Sequence, residues 1–97
     1  LLKNMGEEAI AEVKENLLLE KNLQKLRQLI EIAGLLKRDD LLTLLKSFIG
    51  SQDYDVREAT VFALGNIVSP LAKQILSEMA QDKDLRIARL AKRESRV

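Results

Sequence analysis

Ninety-seven residues make one small domain, which buries only about 60 to 65% of its unfolded surface, so one core or one short solenoid is all the chain can build. Hydrophobic residues make up 46% of it and aromatics only 3%, with one proline, four glycines and no cysteine, which favours Leu, Ile, Val and Ala between packed helices and excludes disulfides and thiolate metal sites. Sixteen basic against fifteen acidic residues leave a net charge of +1, which gives the whole chain no bias toward nucleic acid or anionic membranes.

The first helix is predicted from about Gly6 to Leu18, with Ile10, Val13 and Leu17 at helical spacing and Glu7 and Glu8 in the first turn, where carboxylates suit the helix dipole. Asn22 reads as the N-cap of a second helix, whose apolar positions Leu23, Leu26, Leu29, Ile30 and Ala33 run to a stop between Gly34 and Lys37. Asp39 or Asp40 caps a third, carrying Leu41, Leu44, Leu45, Phe48 and Ile49 and ending at Gly50. Asp53 caps the fourth. There Val56, Ala59, Ala63 and Ile67 line one side, and Val61, Leu64 and Val68 widen the apolar sector, as expected of a helix with neighbours on several faces. Ser69-Pro70 resets the chain for a fifth with Leu71, Ile75, Leu76 and Met79, and a sixth begins after Asp82 with Leu85, Ala88, Leu90 and Ala91.

Residue types recur along this pattern. At an offset of thirty, Leu41 matches Leu71, Leu45 matches Ile75, Ile49 matches Met79 and Arg27 matches Arg57. At thirty-one, Ile10, Val13 and Leu17 match Leu41, Leu44 and Phe48. At twenty-nine, Asp53 to Ala59 and Asp82 to Ala88 share the formula Asp-x-Asp-[Val/Leu]-Arg-x-Ala. The expected architecture is an all-α, α-α superhelix of six antiparallel helices in one domain: a half repeat over 1–19, repeats over 20–50 and 51–81, and a half repeat over 82–97.

The run from Asp53 through Val56-Arg57-Glu58-Ala59 to Ala63-Leu64-Gly65 resembles the first helix of a HEAT repeat, in particular the HEAT-like subgroup of phycobiliprotein lyases. The resemblance is good over 53–84, partial over 82–91 and weak before Leu41; Tyr54 stands where the pattern often has proline. It implies a right-handed, armadillo-like stack in which the second helix of each pair lines a concave face. It also implies that Arg27, Arg57 and Arg86 form a ladder to adjacent repeats. Read from the residues themselves, Asp53 and Asp82 serve as helix caps, and Ala59, Ala63 and Ala88 are small where helices cross.

No histidine or cysteine is present to build a common nucleophile and base pair, and no Gly-rich phosphate loop occurs, so neither an enzyme nor a cofactor or metal site is expected. The function expected instead is a scaffold that binds another protein along the concave face. Its candidate contact row is Glu12 and Glu15, then Thr43, Lys46 and Ser47, then Lys73, Gln74 and Ser77. The alternative is phosphate-backbone binding through Arg86, Arg89, Arg93 and Arg96, which share one helical face. Residues 85–97 hold five basic side chains and one acidic, +4, whereas residues 1–84 hold eleven basic and fourteen acidic, −3. No aromatic interleaves with these arginines in sequence, which leaves base stacking unsupported. Self-association is a third expectation, through apolar end faces formed by Ile10, Val13, Leu17, Leu85 and Leu90. No apolar run approaches the ~20 residues of a membrane span and no signal peptide opens the chain, so a soluble, cytoplasmic protein is expected; its start at Leu1 reads as a piece of a longer one.

Overall fold

A computed structural model describes residues 2–95, with side chains from 6 to 95. Among these residues the chain forms six helices and no strand: α1 (Leu2–Leu19), α2 (Leu23–Leu36), α3 (Leu42–Lys46), α4 (Tyr54–Ile67), α5 (Pro70–Met79) and α6 (Leu85–Ser95). No helix is long and apolar enough to cross a membrane. The helices alternate between two rows. α2, α4 and α6 pack side by side in one, α1, α3 and α5 in the other, and each helix of one row also packs on the other. The result is a slab 44 × 29 × 15 Å, as a stack of helix pairs requires.

Local signals set most helix starts. Asn22 Oδ1 accepts from Lys25 N at 3.0 Å, Asp53 Oδ1 from Val56 N at 2.9 Å, and Ser69 Oγ from Ala72 N at 3.1 Å with Pro70 in the first helical position. α2 and α4 both end on a residue in the left-handed region, Lys37 (φ 53°) and Val68 (φ 47°).

The core is one cluster, with Ile30, Leu41, Leu42, Leu45, Val56, Val61, Leu64, Ile75, Leu76 and Ile87 fully enclosed. α4 is its centre and contacts α2, α3, α5 and α6, which accounts for its wide apolar sector. Thr60, also fully buried there, satisfies its hydroxyl by donating to Val56 O at 2.7 Å.

Several expectations change. α1 begins before Gly6, so Glu7 and Glu8 do not lie in its first turn. α2 ends at Leu36 with Lys37 as its C-cap, inside the expected stop between Gly34 and Lys37, but Gly34 is itself helical, and a Cβ there would sit 2.6 Å from Ala63 Cα. Glycine there lets α2 and α4 touch backbone to backbone, a contact set by tertiary packing. Neither Asp39 nor Asp40 caps α3. They form a 3-10 turn with Leu41, and the chain winds tightly again after Lys46 through bonds from Ser47 N to Leu44 O and Phe48 N to Leu45 O. The Ser47 hydroxyl also donates to Leu44 O, competing for a carbonyl that a longer helix would use. At the start of α5 Ala72 is buried in place of Leu71, which is 45% exposed. α6 starts later than its formula predicts. Asp82 Oδ1 takes the amide of Asp84 at 2.8 Å, and Asp84, two residues on, takes the amide of Arg86 at 2.9 Å as the cap.

Candidate functional site

Glu12, Glu15, Thr43, Lys46, Ser47, Lys73, Gln74 and Ser77 are all exposed. On α1 they lie opposite the buried Ile10 and Leu17, on α3 and its following turn opposite Leu41 and Leu45, and on α5 opposite Ala72, Ile75 and Met79. The row is acidic at α1 and basic at α3 and α5. Lys46 Nζ reaches Glu78 Oε1 across to α5 at 3.6 Å. Ser47 and Ser77 spend their hydroxyl protons on the carbonyls of Leu44 and Lys73, which leaves them to act as acceptors.

Beside this row a second set of charges joins α1 to the start of α3. Arg38 donates to Glu7 Oε1 at 3.1 Å and to both Asp40 oxygens, and Lys14 donates to Asp40 at 3.0 Å. The Arg38 guanidinium first, and then Lys14, hold the Asp40 carboxyl below the usual carboxylate range. Glu7 and Asp40 are exposed and Lys14 and Arg38 partly so, so their contribution is register and surface pattern more than stability.

The three arginines each reach an adjacent repeat, but with different chemistry. Arg57 is buried: it donates to Ser51 O at 2.6 Å, and its Nε lies 3.2 Å from Asp82 Oδ2. That Nε has no aligned hydrogen-bond partner, so the Asp82 tie is an ion pair held by charge in a nearly dry site. Arg27 only approaches Asp55, at 3.9 Å. Arg86 is exposed. It grips Asp84 at 2.9 and 3.2 Å and lies over the Tyr54 ring, 4.2 Å from the centroid, so it reaches back to an aromatic and not forward to a carboxylate. Its hydrogen bonds hold the Asp84 carboxyl down at about 2.

Tyr54 is the residue that the linear reading missed beside the arginines. With Arg86, Arg89, Leu90 and Arg93 it lines an open cleft of about 400 Å³ between the start of α4 and α6. Its replacement of the proline common in the repeat pattern was the signal available. Arg96, the fourth arginine of the stripe, lies outside the described residues. Glu94 of α6 packs closely over Gly65 of α4, where a Cβ would sit 3.2 Å from Glu94 Cβ.

The end faces also differ from expectation. Of the apolar residues expected to be partly uncovered, Val13 and Leu90 are half-buried and Leu85 stands open, whereas Ile10 and Leu17 are covered by the chain itself. Leu18, Leu19, Leu23, Ile32 and Leu35 are exposed instead, on α1 and α2. No group of three or more Asp and Glu among the described residues could hold a metal ion.

The family model described as HEAT repeats matches residues 10–95. No curated protein and no solved structure matches the chain.

Proposed function

Since this chain belongs to the HEAT-repeat family, we propose that it is a non-catalytic interaction module that holds a partner protein along the row formed by α1, α3 and α5. HEAT repeats commonly act as protein-interaction scaffolds. One observation carries the choice of face: Glu12, Glu15, Thr43, Lys46, Ser47, Lys73, Gln74 and Ser77 come from three successive helices, all are exposed, and all lie opposite their own buried faces. Stacked repeats present side chains in this way, one set per repeat, to an extended ligand. The helix pairs that supply them correspond to the repeats proposed over 20–50 and 51–81, with half repeats outside. The acid at α1 and the lysines at α3 and α5 give the row a direction, which favours one orientation of a bound chain.

Photo-crosslinking tests the face. Benzophenone side chains at Thr43 and Gln74 are expected to capture a common partner, and the same group at Glu31 and Asn66, exposed on α2 and α4, is expected to capture none of it. Equal capture from the α2 and α4 positions refutes the assignment.

A further inference from the structure

The row of α2, α4 and α6 carries two grooves of like position and unlike chemistry. The groove between α2 and α4 is lined by Arg27, Glu31, Asp55, Glu58, Ala59 and Phe62, and Arg27 stands between Glu31 at 4.0 Å and Asp55 at 3.9 Å. Its one cation is already matched within the chain, and its carboxylates outnumber it. No carboxylate lines the cleft between the start of α4 and α6; Tyr54, Arg86, Arg89, Leu90 and Arg93 do.

The three guanidiniums there are not equivalent. Asp84 grips Arg86 through two hydrogen bonds and Tyr54 lies under its plane, so Arg86 is half neutralised and fixed in orientation. Arg89 pairs with no carboxylate among the described residues. Arg93 meets only Glu94, through Nε at 3.9 Å, with its side chain 66% exposed. Arg89 and Arg93 are one turn apart, about 6 Å along the helix, where like charges destabilise the helix until an anion lies between them. Between these cations the half-buried Leu90 and the Tyr54 ring provide an apolar floor.

We propose that this cleft binds an acidic peptide segment, its carboxylates on Arg89 and Arg93 and an apolar side chain on Leu90 and Tyr54. A carboxylate takes a forked pair of bonds from one exposed guanidinium, and Arg89 and Arg93 each present one, Arg93 with only its Nε near Glu94. The floor has no use for a phosphate backbone. A nucleic-acid strand running past α6 also meets Glu58, which accepts from the Tyr54 hydroxyl at 3.2 Å, and Asp84, which grips Arg86, and residues 1–84 carry −3 overall. A short acidic segment can set its carboxylates on Arg89 and Arg93 and present only its apolar side chain to Tyr54. This site lies on the opposite row of helices from the proposed partner face and does not depend on it.

The test is fluorescence anisotropy on the whole chain with three labelled probes: a short Asp/Glu peptide with one central Leu, the same peptide with Gly for that Leu, and a single-stranded oligodeoxynucleotide of equal charge. The acidic Leu peptide is expected to bind, the Gly peptide to bind several-fold more weakly, and the oligonucleotide more weakly than either. Arg89→Gln/Arg93→Gln should weaken the Leu peptide about ten-fold or more without shifting the melting temperature, since both side chains are exposed. The proposal is overturned if the Leu peptide does not bind, if its affinity survives the double substitution, or if the oligonucleotide binds as tightly.

Discussion

Replacing Arg57 by alanine removes the tie between consecutive repeats. The guanidinium is 7% exposed and Asp82 9%, so Arg57→Ala leaves a nearly buried carboxylate whose remaining partner is the Asp84 amide. It also strips Ser51 O of a charge-assisted bond of 2.6 Å. Removing one member of a buried pair costs about 3 to 5 kcal/mol. In a domain of this size each kcal/mol lowers the melting temperature by about 4 to 8 °C, so a fall of at least about 12 °C is expected. Circular dichroism melting measures it, with helix content at low temperature near that of the parent. A companion pair, Arg57→Met with Asp82→Leu, removes both charges and should recover all but about 1 kcal/mol, because the penalty lies in the orphaned charge. A double-mutant cycle should give a coupling of at least about 2 kcal/mol. A melting temperature within about 2 °C of the parent for Arg57→Ala would falsify the reasoning, as would a coupling near zero.

Gly34→Ala places a Cβ 2.6 Å from Ala63 Cα, and the helix-propensity gain of about 0.5 to 1 kcal/mol is smaller than the overpacking cost of about 1 to 3. Net destabilisation is expected in urea titrations, while Gly50→Ala, with nothing within 4 Å of its Cβ, should change stability by less than about 0.5 kcal/mol. Equal effects at the two glycines would count against the α2 and α4 contact. Val68 ends α4 at φ 47° with its side chain largely in solvent, so Val68→Asn should raise stability by about 1 kcal/mol in the same assay; a loss refutes the strain. Asp84 has a folded pKa of about 2, below its unfolded value of about 3.9. Its contribution is therefore complete above about pH 4 and is lost as pH falls through about 2. Asp84→Asn, which can still cap α6, should make the fall in stability over that interval shallower, and an unchanged slope measured by denaturation at several pH values contradicts it.

Much of the fold was legible because its signals are local. Asn22, Asp53 and Ser69 act on amides three residues away, and the spacing of Leu26, Ile30 and Ala33 or Ile75, Leu76 and Met79 defines a buried face without reference to any other helix. The resemblance to a HEAT repeat also pointed to Arg57 as an inter-repeat residue. The repeat offsets failed where one sequence formula meets two environments. Asp53 caps α4, but the matching Asp82 is occupied by Arg57 from the preceding repeat, so α6 starts from Asp84 and Arg86 is turned out to solvent. The row of exposed residues on α1, α3 and α5 followed from periodicity, whereas the arginine cleft did not, because Tyr54 and Arg86 lie thirty-two positions apart and meet only when α6 stacks on α4.

The amino-acid sequence by itself determined that the chain is helical, where α2, α4 and α5 begin, and that the helices recur as pairs, since caps and periodic burial act within a few residues. Tertiary structure alone decided that Gly34 is a contact and not a terminus, that Ile10 and Leu17 are covered, and that an aromatic ring stands among the arginines of α6. Each of these depends on which helix lies alongside, and that is settled when the rows close on one another and bury their apolar faces.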